Sequence, residues 1–307
     1  MIKKEILLSK AIHFLSPSSG IKHDNLNVHM FTEDMLSHIL PIGGKSSKHP
    51  DFKIDLEGNQ EDIDRFIMLS NIETRYSMNR VTEGVCNFVE SIASMLSYQG
   101  RAYYRIEGED KKYKIRPYTS ERLLRIYPTH YYLRLNAINS PRDNWINLIH
   151  QTTIWKIEIP SILGGPSNFK KTLLRLQRYD LISNQVWLEQ LSSNKNRLNF
   201  NLSEYSKNHD IYLQRNTRKW GWDKRDTSAN NKTEFFLVYQ QVEMALAKAF
   251  LREHILKEIN QLFIRLNWDC KVIISGIPSS SELIELKEEL RKGSLSFEDV
   301  IDKTSLL

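Results

Sequence analysis

Apolar residues recur at steps of three and four through residues 61–98, at Ile72, Tyr76, Val81, Val85, Phe88, Val89, Ile92, Met95 and Leu96. That spacing lines one broad face of an amphipathic helix, and Gly100 is placed to stop it. A shorter period follows. Residues 102–106 and 113–116 alternate aromatic or β-branched side chains with charge across the polar turn 108–112, as a hairpin does. Residues 123–127, 131–135 and 153–159 predict three further strands, and hence an antiparallel sheet carrying a helix on one face.

Past Gly164-Gly165-Pro166, Ser167 is placed to cap a helix to about residue 179, with a shorter helix at 186–191. Residues 192–232 are polar and show no clear apolar period. The longest regular element is expected at 233–267, which contains no Pro or Gly. At 1.5 Å per residue it would extend roughly 50 Å. Its apolar positions, among them Phe236, Leu246 and Phe250, cover more than one stripe, so it is expected to pack on its own domain and on a second copy. A strand at 271–275 and two helices complete the chain, the first opened by a Ser279/Glu282 capping box, the second by Ser296 with Asp299. The expected class is α+β: an antiparallel sheet with a packed helix, then a long C-terminal helix and a small helical tail. Four parts follow: an irregular region 1–60 with one short helix at 31–40, an α+β domain 61–195, a basic aromatic connector 196–232, and the helical part 233–307.

Composition narrows the class. The 307 residues are 40% hydrophobic and 10% aromatic, which excludes disorder throughout and allows a sizeable core. No apolar run is long enough for a membrane span, and the first residues lack the apolar stretch of a secretory leader. With two cysteines, Cys86 and Cys270, a disulfide framework is excluded and a cytoplasmic setting fits. Charge matters more by its placement than by its net value of +6. Between Arg101 and Arg134 nine basic residues face four acids, and between Lys195 and Arg225 eight face three. Acids gather near the C-terminus instead, on helices suited to a protein partner.

Enzyme motifs are incomplete. Gly43-Gly44-Lys45-Ser46 offers the residue types of a phosphate loop, but Ile39 stands where the upstream Gly belongs. The histidines show no metal-ligand spacing, although His23, His29, His38 and His49 lie in one short region. Asp55 and Glu57 with Lys53, or Glu158 with Lys156, supply nuclease-like groups without a nuclease motif. No cofactor, metal or catalytic residue is therefore expected. The densest chemical signal is Arg215, Arg218, Lys219, Trp220, Trp222, Lys224 and Arg225, with Arg252 on the long helix beside it. Cations there would hold phosphates. The two indoles either stack on bases or anchor the loop to the core.

The run Ser97-Tyr98-Gln99-Gly100-Arg101-Ala102-Tyr103-Tyr104-Arg105-Ile106 resembles the helix, glycine and strand that open a small sheet in tailed-phage portal proteins. The later helix 233–267, strand 271–275, Gly276-Ile277-Pro278 and two acidic helices are similar to the final part of such chains. The resemblance spans about residues 70–135 and 230–305. It implies a homo-oligomeric ring that conducts DNA and docks a packaging motor, with no catalysis, and a place in the virion. The resulting expectation is a structural DNA-handling protein. The alternative is a defence or mobile-element protein acting on nucleic acid, with a nuclease site of another kind.

Overall fold

Helix α1, Leu26–Leu36, starts where Asn25 takes an extended backbone and its Oδ1 accepts the Val28 N–H at 3.1 Å. The computed structural model describes residues 20–41, 51–71, 81–108, 113–118, 123–126, 128–135, 146–192, 202–222 and 233–304. After α1 come β1 (Lys53–Gly58), α2 (Gln60–Asn71) and α3 (Val81–Ser97). Strands β2 (Arg101–Glu107), β3 (Lys114–Tyr118), β4 (Leu123–Ile126), β5 (Tyr131–Leu135), β6 (Ile146–His150) and β7 (Ile154–Glu158) follow. Then come α4 (Gly165–Ser192), α5 (Leu202–Thr217), α6 (Glu234–Arg265), β8 (Cys270–Ser275), α7 (Ser280–Lys292) and α8 (Phe297–Thr304). The fold is mixed α+β with antiparallel sheets, a long helix and a small helical tail. Among the described residues, no helix is long and apolar enough to cross a membrane.

Contacts divide the chain into two compact units. The first comprises Met1–Gly20, Ile42–Ile159 and Arg252–Gly276. Its strands form a sheet ordered β3-β2-β7, a second ordered β4-β5-β6, and an antiparallel β1-β8 pair. One sheet was expected from the strand run, but β7 pairs with β2 and leaves β4, β5 and β6 to form their own meander. Tyr103, Tyr118, Leu123, Tyr132, Ile149 and Ile154 share a core between these two sheets. A second core gathers rings from several elements: Phe66 lies 4.7 Å from Phe263 and 6.0 Å from Phe88, and Tyr104 lies 5.2 Å from Trp155. The region before residue 60 is less irregular than its composition suggests, since β1 pairs along its length with β8. The Asn260 side chain serves β8 as a strand would, accepting the Val272 N–H at 2.9 Å and donating to its carbonyl at 3.2 Å.

The second unit comprises Ile21–Pro41, Pro160–Leu251 and Ile277–Leu307. Its first cluster joins α1 to α4: Phe31 sits 6.1 Å from Phe169, both fully buried. A second joins α6 to α7 and α8 through Val242, Leu246, Leu283, Leu286, Leu290 and Val300. Helix α4 runs past residue 179 because nothing between there and residue 186 interrupts it: the intervening sequence has no Gly or Pro. Helix α5 forms within the stretch that shows no apolar period; Leu213 is its deeply buried apolar anchor among the described side chains. Residues 234–251 of α6 belong to this unit and 252–265 to the other. Serving two cores explains why the apolar positions of α6 exceed one stripe.

Candidate nucleic-acid interface

The last turn of α5 carries Arg215, and the chain then tightens into a 3-10 turn, Arg218–Trp220. Gly221 closes that turn with φ 62°, a conformation that favours glycine. The Thr217 hydroxyl lies within hydrogen-bond reach of the Leu213 carbonyl (2.8 Å) and the Trp222 carbonyl (3.2 Å), which joins the helix end to the loop. Trp220 and Trp222 are 1% and 2% exposed, and that decides their role. Trp220 packs edge-on to Phe31 at 5.6 Å and tilts against Phe169 at the same separation. Trp222 meets Phe31 at 5.3 Å, and its indole N–H donates to Asp34 Oδ2 at 2.8 Å. Neither ring is available to stack on a base. Both are loop anchors, so the base-stacking expectation is corrected.

What the anchors leave outside is cationic. Arg215, Arg218 and Lys219 are all exposed. Lys224 and Arg225 lie outside the described residues. Arg252 is not on this surface: it is 2% exposed, and burial pushes its guanidinium down to about 10. A helix position that reads as a basic flank from charge alone is therefore a core position.

The other basic stretch, 101–134, has a different fate. Arg101 donates to Glu158 at 2.8 Å, and Lys156 approaches the same carboxylate at 3.2 Å. Burial works against ionising Glu158, but these two cations hold its carboxyl below the ordinary range. Arg105 and Arg116 both reach Glu107, at 3.2 and 3.3 Å. Arg105 and Arg134 each donate to the Tyr118 hydroxyl, at 3.1 and 3.2 Å, and the Arg134 guanidinium lies 4.1 Å from the centre of that ring. The sheet cations are thus largely engaged within their own unit.

Of the three side chains expected at a subunit interface, Phe236 is exposed at 36%. Leu246 is buried in the cluster with α7 and α8, and the half-buried Phe250 packs against that cluster. Gly43-Gly44-Lys45-Ser46 and His49 lie outside the described residues. Among the described residues no group of three or more His, Cys, Asp or Glu is arranged to hold a metal ion. Burial, reinforced by Asp62 and Asp269, pushes the Cys270 thiol up to about 12, so it is not a poised nucleophile. Lys53, Asp55 and Glu57 lie exposed at alternate positions of β1. Neither the family models nor the curated proteins compared with this chain include a match to it.

Proposed function

We propose that this chain is a non-enzymatic DNA-handling protein that holds nucleic acid through phosphate contacts at the end of α5. One observation carries the reading: Arg215, Arg218 and Lys219 are exposed on a turn whose two tryptophans are buried beneath it. Such a turn offers charge on a pinned backbone, so less ordering entropy opposes each phosphate contact than on a loose loop. The portal-like ring belongs to the same proposal as its assembled form. Exposed Phe235 and Phe236, at 41% and 36%, favour self-association through the start of α6.

The experiment is a salt titration of DNA affinity with Arg215→Ser, Arg218→Ser and Lys219→Ser combined. Each lost duplex phosphate contact lowers the log-affinity against log-salt slope by about 0.9, so the triple variant is expected to lose between two and three units. An unchanged slope refutes the reading. DNA and RNA should also stay intact with Mg²⁺ or Mn²⁺ present. Cleavage abolished by Asp55→Asn or Glu57→Gln would transfer the chain to the nuclease class.

A further inference from the structure

The basic turn does not stand alone in its unit. Helix α4 lies beside α5, and their side chains meet: the Arg175 guanidinium donates to Asn216 Oδ1 at 3.2 Å, and the Tyr212 hydroxyl reaches the Arg175 carbonyl at 3.5 Å. The Thr172 hydroxyl lies at the same distance from the Asn216 carbonyl. Arg175 is the middle of a series. Lys171, Arg175 and Arg178 are spaced four and three residues apart, so they share one stripe of α4, and all three are exposed. At 1.5 Å per residue the stripe is about 10 Å long.

Neither contributing stretch contains an acid. Residues 165–179 and 211–222 hold Lys and Arg but no Asp or Glu. Among the described residues none of the six cations, Lys171, Arg175, Arg178, Arg215, Arg218 and Lys219, has an ion-pair partner. That is the opposite of the sheet in the first unit, where Glu107 and Glu158 take up four cations.

We infer that the α4 stripe and the α5 turn form one surface for the phosphate backbone of double-stranded DNA, with α4 supplying half of its charge. This rests on the phosphate-binding reading of the α5 turn and extends it. The preference for a duplex follows from the rings. Sequence-tolerant binding of single strands draws on exposed aromatic platforms. Here Phe169, Trp220 and Trp222 are buried, and the Tyr212 hydroxyl is directed to α4. Cations without an acidic partner or a stacking surface beside them favour the form with the densest phosphates, and a duplex carries two strands of them along each stretch of axis.

The test pairs two variants on either side of the helix junction. Lys171→Ser with Arg178→Ser strips α4 and spares Arg175, which holds Asn216. Arg215→Ser, Arg218→Ser and Lys219→Ser strip the turn. Each is titrated from about 50 to 200 mM salt against a random-sequence duplex. The single strand, a duplex RNA and vesicles of phosphatidylserine in phosphatidylcholine are the other arms. The parent slope should approach about −5 on duplex DNA, and the α4 pair should flatten it by about 2. Lys171→Arg with Arg178→Lys should keep the parent slope, which separates lost charge from lost fold. If the α4 pair leaves the slope unchanged while the turn variant flattens it, the α4 inference falls and the α5 reading stands. If the turn variant alone is silent, the α5 reading falls. Tighter binding to the single strand, to duplex RNA or to vesicles than to duplex DNA overturns the assignment of the occupant.

Discussion

Gly221 has little room to vary. A Cβ there would lie 2.4 Å from the Met244 amide nitrogen and 2.7 Å from the Glu243 carbonyl carbon, both backbone atoms, and φ is already 62°. Gly221→Ala is therefore expected to destabilise the protein by about 1–3 kcal/mol, read as a lowered melting temperature. Trp222→Ala should cost about 3–5 kcal/mol, from the buried ring and its partnered N–H. Trp222→Phe should keep most of the packing and lose the hydrogen bond to Asp34. In Trp222→Phe, which keeps the turn pinned, DNA affinity per folded molecule should stay at the parent value. A loss of affinity without a loss of stability would return the ring to the binding surface. The sequence made these tryptophans conspicuous and left their role open. What decides it is Asp34, 188 positions away, and Phe31 beside it, and no local pattern announces a partner at that separation.

Elements with local causes were legible. Ser279 and Glu282 form the expected reciprocal cap, with the Ser279 N–H donating to Glu282 Oε2 at 2.7 Å, and Gly293 ends α7 in the left-handed region. The backbone and hydroxyl of Ser279 hold the Glu282 carboxyl below its ordinary value of 4.5. A carboxylate with a lowered folded pKa stabilises the fold above its unfolded value, and this is lost as pH falls through the folded one. Acidification below about 4.5 should therefore lower the melting temperature more in the parent than in Glu282→Gln. Equal acid sensitivity in the two would remove the cap from the account. Elements with distant causes were less legible. Helix α5 has a thin apolar face and is anchored among the described side chains at Leu213, so periodicity passed over it. The three cations of the α4 stripe sit four and three residues apart among apolar neighbours, a weaker signal in sequence than a contiguous basic run.

At the scale of the molecule, the apolar breadth of α6 is met within the chain itself, since its two halves serve different cores, and a contact with another copy stays a proposal to be tested. Leu246 and Phe250 are accounted for by the cluster with α7 and α8. Phe250→Asp should therefore lower the melting temperature, since it sets a charge against an apolar cluster. Phe236→Asp is the cleaner probe of assembly, because Phe236 is 36% exposed. It should reduce the mass measured by light scattering while the melting temperature holds. A parent that is already monomeric at every concentration would dispose of the ring.

The hydrogen bond between Trp222 and Asp34 also bears on how the chain is made. The unit it closes is assembled from three separate stretches, Ile21–Pro41, Pro160–Leu251 and Ile277–Leu307. On a ribosome adding about 5–20 residues per second, α1 emerges roughly 10–40 s before Trp222 exists to cover Phe31. Throughout that interval Val28, Phe31, Met35 and Leu36, all buried in the finished protein, lack their final cover. Nascent chains stalled between α1 and α5 should therefore bind a holdase through this helix. Phe31→Ser should weaken that capture, and refolding of the whole chain should be slow, as expected when closure joins residues so far apart in sequence.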